Sequence, residues 1–295
     1  MAATGCEVVT TALSTDDQTI SIRCIVWIFP VYVFLTLGLS NVESQFPRAC
    51  TTDETLSSRI CCPPWRGSPC GEHAGRGECS TKHVQAYGQD SEVPYEYNQC
   101  RDDRIDWPSG YYQHYCRCKG NYSGYDCGEC KYGHYGKRCD QKKILVRKEI
   151  RELNVIEREK FLRYLNLLKD TTSSDYVILV ARDRKDPSTF MFRNASIYDL
   201  CTWIHHYSTK PILHDCSYAG MRDFAHQGPA FTTWHRLLLL FLERQIHLLT
   251  GDDCFALPFY DWSKDKNCSI CSDELLGSND KKGNILESSS FSSWG

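Results

Sequence analysis

Cysteine crowding is the feature that most limits how this chain can fold. Of 18 cysteines in 295 residues, 11 lie between Cys50 and Cys139. That stretch is rich in Gly, Pro and Tyr and has no sustained apolar periodicity, so it cannot bury a large core. In an oxidising compartment such a segment is held by disulfides, whereas in a reducing one the same crowding points to metal sites. The leading residues favour the first. Residues 24–39 form an apolar run preceded by Arg23, with Gly38 and Ser40 at its end. The run is short for a spanning helix and the right length for a signal-peptide core cleaved after Ser40 or Ser44. Glu7, Asp16 and Asp17 stand where positive charge is usual, which leaves a signal anchor as the second reading. Residues 1–44 are thus expected to be a signal peptide and the rest lumenal, in the secretory pathway. The sequons at Asn121, Asn194 and Asn267 are candidate glycosylation sites consistent with that route. The charge is nearly balanced, 34 basic against 37 acidic residues, with no basic cluster interleaved with aromatics, so no nucleic-acid partner is expected.

Residues 45–142 read as the cross-linked module. Cys116-x-Cys118 followed by Cys127, Cys130 and Cys139 resembles an EGF-type knot. Cys127-x-x-Cys130 also has zinc-ligand spacing, but no second cysteine pair or histidine pair follows at finger spacing, which favours disulfides. The candidate disulfide cysteines are Cys50, Cys61, Cys62, Cys70, Cys79, Cys116, Cys118, Cys127, Cys130 and Cys139, joined later by Cys268 and Cys271. Eleven is odd, and Cys100 is the candidate left over. The pairing of Cys100, Cys201, Cys216 and Cys254 stays open.

Residues 143–295 change to helical patterning. Asn154 with Glu157 forms a capping box before Phe161, Leu165 and Leu168, with Leu162 widening the stripe. Residues 176–180 are β-branched enough for a strand at the edge of the helical core. Ser196 with Asp199 forms a second box, and Ile197, Leu200, Cys201 and Ile204 share one helical face. His205 falls at the edge of that face and points inward, while His206 falls opposite and is solvated. His226 sits on a loop broken by Gly228 and Pro229. A helix then begins near Trp234 and His235, capped by Thr232 or Thr233 and ended at Gly251. Its residues 237–242 are all apolar, so burial all round is expected. A lone buried histidine is more often a hydrogen-bonded core residue than a ligand. His205, His226 and His235 together look like a facial set of imidazoles in a helix bundle, a donor set that suits Zn, Cu, Fe or Ni. His214 and His247 read as surface residues, and His73, His83, His114 and His134 belong to the cysteine-rich module.

The run His226-x4-Phe231-Thr-Thr-Trp234-His235-Arg236-x2-Leu239-x3-Glu243 resembles the first copper-binding signature of the tyrosinase family. Trp203-Ile204-His205 resembles the family's helix carrying the first ligand, and Leu257-Pro258-Phe259-Tyr260-Asp261-Trp262 the segment closing that half-site. Phe46-Pro47-Arg48-Ala49-Cys50 and Cys61-Cys62-Pro63-Pro64-Trp65 extend the likeness to the animal pigment-forming branch. The resemblance implies a mainly α chain: a disulfide-rich EGF-like lobe followed by the first half of a di-copper four-helix-bundle domain. It implies an oxidase with two coppers per complete enzyme, each held by three histidines, using O₂ to hydroxylate monophenols at the ortho position. The resulting o-diphenols are oxidised to quinones, the entry to melanin. His205, His226 and His235 would be the metal ligands of the first copper, with small phenols and O₂ as reaction partners and the melanosome as location. The alternative within the family is a tyrosinase-related protein, a dopachrome tautomerase (with zinc in place of copper) or a dihydroxyindole carboxylate oxidase. The sequence departs from the family in lacking a His-x3-His helix and an Asp-Pro-x-Phe segment leading to a histidine, and no C-terminal membrane anchor is expected. Only the first-copper half is therefore expected, inactive alone. A non-catalytic metal-binding partner of the full-length family enzyme is the remaining alternative.

Overall fold

The computed structural model of the protein describes residues 45–81, 111–181, 187–209, 225–226 and 228–294. The expected leader 1–44, with Cys100, Cys216, His83 and His214, lies outside the described residues.

Short extended segments and tight turns build the cysteine-rich part, because cross-links there replace apolar burial. Strand β1 is Gln45–Pro47 and helix α1 is Asp53–Ser58, whose cap Thr52 accepts the Thr55 N–H. Then follow β2 (Ile60–Cys61), β3 (Pro64–Trp65), β4 (Ser68–Pro69), β5 (Gly77–Thr81), β6 (His114–Cys118), β7 (Tyr122–Ser123), β8 (Glu129–Cys130), β9 (His134–Tyr135) and β10 (Gln141–Lys142). β6 is central, parallel to β2 and antiparallel to β5, while the remaining strands form two-stranded hairpins. Five disulfides lock them: Cys50–Cys61, Cys62–Cys79, Cys70–Cys116, Cys118–Cys127 and Cys130–Cys139. Packing around the sulfurs is tight enough that a Cβ on Gly77 would stand 2.5 Å from Cys127 Sγ. Cys127 and Cys130 belong to different disulfides, so their zinc-like spacing holds no metal.

β1 pairs outside this part. It runs antiparallel to β11 (Tyr176–Ala181), which pairs in turn with β12 (Phe190–Arg193). The strand expected over residues 176–180 is therefore present, as the middle one of three. Its apolar residues are covered by Phe46 and Tyr112, and the Tyr112 hydroxyl donates to the Cys50 carbonyl at 2.7 Å.

Three longer helices follow: α2 (Val155–Asp170), α3 (Ile197–Thr209) and α4 (Ala230–Thr250). The Asn154–Glu157 capping box at the start of α2 is complete. At α3 only half of the expected box forms. Ser196 accepts the Asp199 N–H, but the Asp199 carboxylate pairs with Lys169. Phe161, Leu165 and Leu168 of α2 pack with Ile197 and Cys201 of α3 and Leu242 and Ile246 of α4. Gly251, at φ 70°, ends α4.

The mainly α expectation is overturned. The described residues hold four α-helices, one of them six residues long, against twelve strands. Two physical reasons account for it. The cross-linked half has too little apolar sequence to pack helices. Beyond Gly251 the described chain carries only the 3₁₀ turn Trp262–Lys264, and closes the core with loop residues Phe255, Leu257, Ile270, Leu275 and Phe291. Carboxylate-centred turns at Asp265, Asp273 and Asp280 supply the backbone of these loops with acceptors. No helix among the described residues is long and apolar enough to cross a membrane.

Candidate metal centre

The face of α3 is set by apolar spacing: Ile197, Leu200, Cys201 and Ile204 are buried, His205 is half-buried and His206 is exposed. The start of α4 differs from the sequence expectation. The helix begins at Ala230, one turn earlier, and its N-cap is Pro229 without a side-chain cap. Proline suits a helix start because the N–H it lacks would have no helical partner. Thr233 caps nothing, its hydroxyl donating to the Ala230 carbonyl. Gly228, at φ 128°, makes the bend that joins His226 to the helix.

That extra turn decides the histidine geometry. With Ala230 as first residue, His235 has the Phe231 carbonyl four residues behind it, and His235 Nδ1 lies 2.8 Å from that oxygen. A carbonyl only accepts, so Nδ1 carries the proton and Nε2 keeps its lone pair for a ligand. The rings of His205, His226 and His235 form a triangle with centroids 5.0, 5.1 and 5.4 Å apart. One nitrogen from each lies within 4.8 Å of the others. Two nitrogens bound at about 2.0 Å to one tetrahedral metal lie roughly 3.3 Å apart. His205 Nε2 and His226 Nε2 are 3.2 Å apart, a separation that fits a shared metal and equally a single N–H···N hydrogen bond without one. The group contains imidazoles alone. Cys201, one turn before His205, is a buried free thiol whose pKa burial pushes up to about 12, and its sulfur is not part of the cluster.

Aromatic rings wall the triangle. Phe231 lies 4.4 Å and Trp234 4.8 Å from the His235 ring, and Trp234 5.7 Å from the His205 ring. His226 is exposed and the other two are half-buried, so the cluster opens to solvent. The burial expected all round α4 is not found: Leu242, Glu243, Gln245 and Ile246 are enclosed along one side, while Leu248 in the same half is 61% exposed. Phe231 and Leu239 are 45% and 48% exposed. An apolar run alone does not bury a helix; what packs on each side does. Glu243 is buried, accepts the Leu257 N–H at 2.9 Å and pairs with Arg147 at 2.8 Å, tying the loop after Gly251 to α4 two turns below His235. The sequence reading missed the Phe231 carbonyl. Only a correct helix start would have revealed it, since backbone acceptors leave no residue-type signal.

Among the other sequence candidates, Cys268 and Cys271 are joined to each other, and Cys254 is also disulfide-bonded. Asn121, Asn194 and Asn267 are exposed, although Asn121 Nδ2 donates to the Cys139 carbonyl. A second close group, Cys62, Cys70 and Cys116, is consumed by disulfides.

Residues 195–294 match the family model described as the common central domain of tyrosinase. The chain is 42% identical over 278 residues to a tyrosinase of Canis lupus familiaris, an alignment covering 92% of this chain and 50% of that protein. It is 42% identical over 263 residues to a tyrosinase of Coturnix japonica, covering 87% of this chain and 95% of that one. A Bos taurus tyrosinase is 40% identical over 281 residues, with coverage of 93% and 51%. The chain spans about half the length of the dog and cattle relatives.

Proposed function

The chain belongs to the tyrosinase family, and on that premise we propose that it contributes the first copper site of a copper oxidase, with His205, His226 and His235 as the ligands. The observation that carries this reading is the convergence of three imidazole nitrogens within 4.8 Å, with the His235 tautomer set by the Phe231 carbonyl. Neutral imidazoles stabilise both Cu(I) and Cu(II), and the copper they hold would supply the redox couple for O₂ chemistry. The chain's own contribution is orientation. The Phe231 carbonyl fixes one ring, α3 fixes another, and the Phe231 and Trp234 rings give the centre an apolar wall. A small phenol would approach from the solvent-exposed side of the cluster, at His226.

In the complete enzyme the reaction would be ortho-hydroxylation of monophenols and oxidation of o-diphenols to quinones, feeding melanin formation. Tyrosinase is preferred to a tyrosinase-related protein, and copper to zinc, on the family likeness. Residues 1–44 would direct the chain to the secretory pathway and the melanosome, ahead of a cysteine-rich module over 45–142 and the copper-site module over 143–295. Asn121, Asn194 and Asn267 would take glycans. A second reading, a non-catalytic metal-binding partner of the full-length enzyme, rests on the described residues holding one three-histidine cluster.

Copper stoichiometry of the purified chain, read by elemental analysis and titration calorimetry, tests the proposal. One copper per chain is expected, lost in His235→Ala and retained in His206→Ala. Equal loss in the two variants would sink the ligand assignment. Turnover of a diphenol by the copper-loaded chain alone would eliminate the second reading.

A further inference from the structure

Of the six described disulfides, Cys268–Cys271 is the one with both cysteines exposed; each of the others has at least one buried or half-buried partner. It also closes the shortest loop, three residues apart in sequence against 9 to 46 for the rest. Loop-closure entropy grows with the logarithm of loop length, so this cross-link restrains the unfolded chain least. Hydrogen bonds anchor the two ends of its loop. Asp265 accepts the N–H groups of Asn267 and Ser269 and the Ser269 hydroxyl, and Leu276 N–H donates to the Ile270 carbonyl. Ile270, between the two cysteines, is buried in the core formed by α2, α3 and α4. A bond that contributes little to the fold and presents both sulfurs to solvent is the one open to attack by thiolates.

We propose that Cys268–Cys271 is a thiol–disulfide exchange site for small thiol and dithiol reductants, and that opening it loosens residues 265–276 without unfolding the chain. A reductant thiolate attacks one sulfur and the Cys–Cys bond breaks. The other sulfur leaves as a thiolate and takes a proton. A second reductant thiol then displaces the mixed disulfide. Both cysteines end as thiols, and the reductant leaves as its own disulfide, a two-electron, two-proton exchange. Cys201 does not compete, because its thiol is buried and protonated.

The full chain, treated under native conditions with graded dithiothreitol, quenched with N-ethylmaleimide and mapped by peptide mass spectrometry, decides the matter. Cys268 and Cys271 should be labelled at a reductant concentration at least tenfold below that which opens any other described disulfide. At that point amide exchange should rise at Ile270 and Leu275 and stay unchanged in α2. The Cys268→Ser/Cys271→Ser variant should unfold within a few degrees of the parent and lack the first labelling step. Another described disulfide opening at the same or lower concentration, or collapse of the double variant, overturns the proposal.

Discussion

Arg76 shows what a buried charge needs. Its guanidinium is enclosed between the rings of Trp65 and Tyr122, at 4.1 and 4.0 Å, and donates to the carbonyls of Cys127, Gly128 and Lys137. These contacts join loops that no strand connects. Hydrogen bonds to a charged group contribute about 1.5–3 kcal/mol each, so Arg76→Ala should cost on the order of 4 kcal/mol. Arg76→Lys should recover less than half, since an ammonium cannot reproduce the planar fork. Differential scanning calorimetry with disulfides intact measures both, and equal midpoints for the two variants would count against the fork. Nothing in the sequence singled out Arg76, because its partners are carbonyl oxygens and ring faces brought in from distant turns. His205 was legible, since helical spacing alone separates it from His206. His226 was expected inward and is exposed, because the direction of a loop side chain does not follow from periodicity.

Turns as well as helices hold the functional half together. In the loop after Trp262 the Ser269 hydroxyl, the N–H groups of Asn267 and Ser269 and the Tyr260 hydroxyl all donate to Asp265, and hold its pKa well below the usual carboxylate value. The unfolded chain, with a carboxylate pKa of about 3.9, therefore binds the proton more readily than the folded one. The stability Asp265 contributes is complete above that value and is lost as pH falls through the depressed folded pKa. Asp265→Asn should lower the unfolding midpoint at pH 7 and flatten the midpoint's decline below pH ~4. Parallel midpoint-against-pH curves for variant and parent would refute this. At the helices, the Asn154–Glu157 box and the Gly251 stop follow from local chemistry and stand as expected. The start of α4 does not. Thr232 or Thr233 was the expected cap, whereas the helix starts one turn earlier, after Pro229 and next to the bend at Gly228.

Across the molecule, α4 meets the cross-linked module through Arg244. It pairs with Glu129 at 2.6 Å, donates to the Cys130 carbonyl at 2.5 Å and stacks 3.9 Å from the centre of the Tyr132 ring. Burial raises the Glu129 pKa above its ordinary value, against the pull of Arg244. Arg244→Ala leaves that carboxylate uncompensated and should cost about 2–3 kcal/mol at pH 7, less than for a fully enclosed pair because both side chains keep some solvent. A raised folded pKa means that the folded state binds the proton better than the unfolded one. The loss in Arg244→Ala should therefore shrink as pH falls below the raised value, and Arg244→Met/Glu129→Gln should recover much of it. Chemical denaturation at pH 5 and pH 7 checks this; a pH-independent loss would argue for packing alone. The chain itself carries whatever depends on near neighbours: cysteine density, helix periodicity, the Asn154–Glu157 box, the Gly251 stop and the side on which His205 lies. Contacts between distant segments decided the rest. They made β11 a central strand through β1, kept the chain from being mainly α, left the N-terminal half of α4 open, and brought His205, His226 and His235 to one point. Burial and convergence depend on what packs opposite a residue, and that partner is chosen by the whole fold.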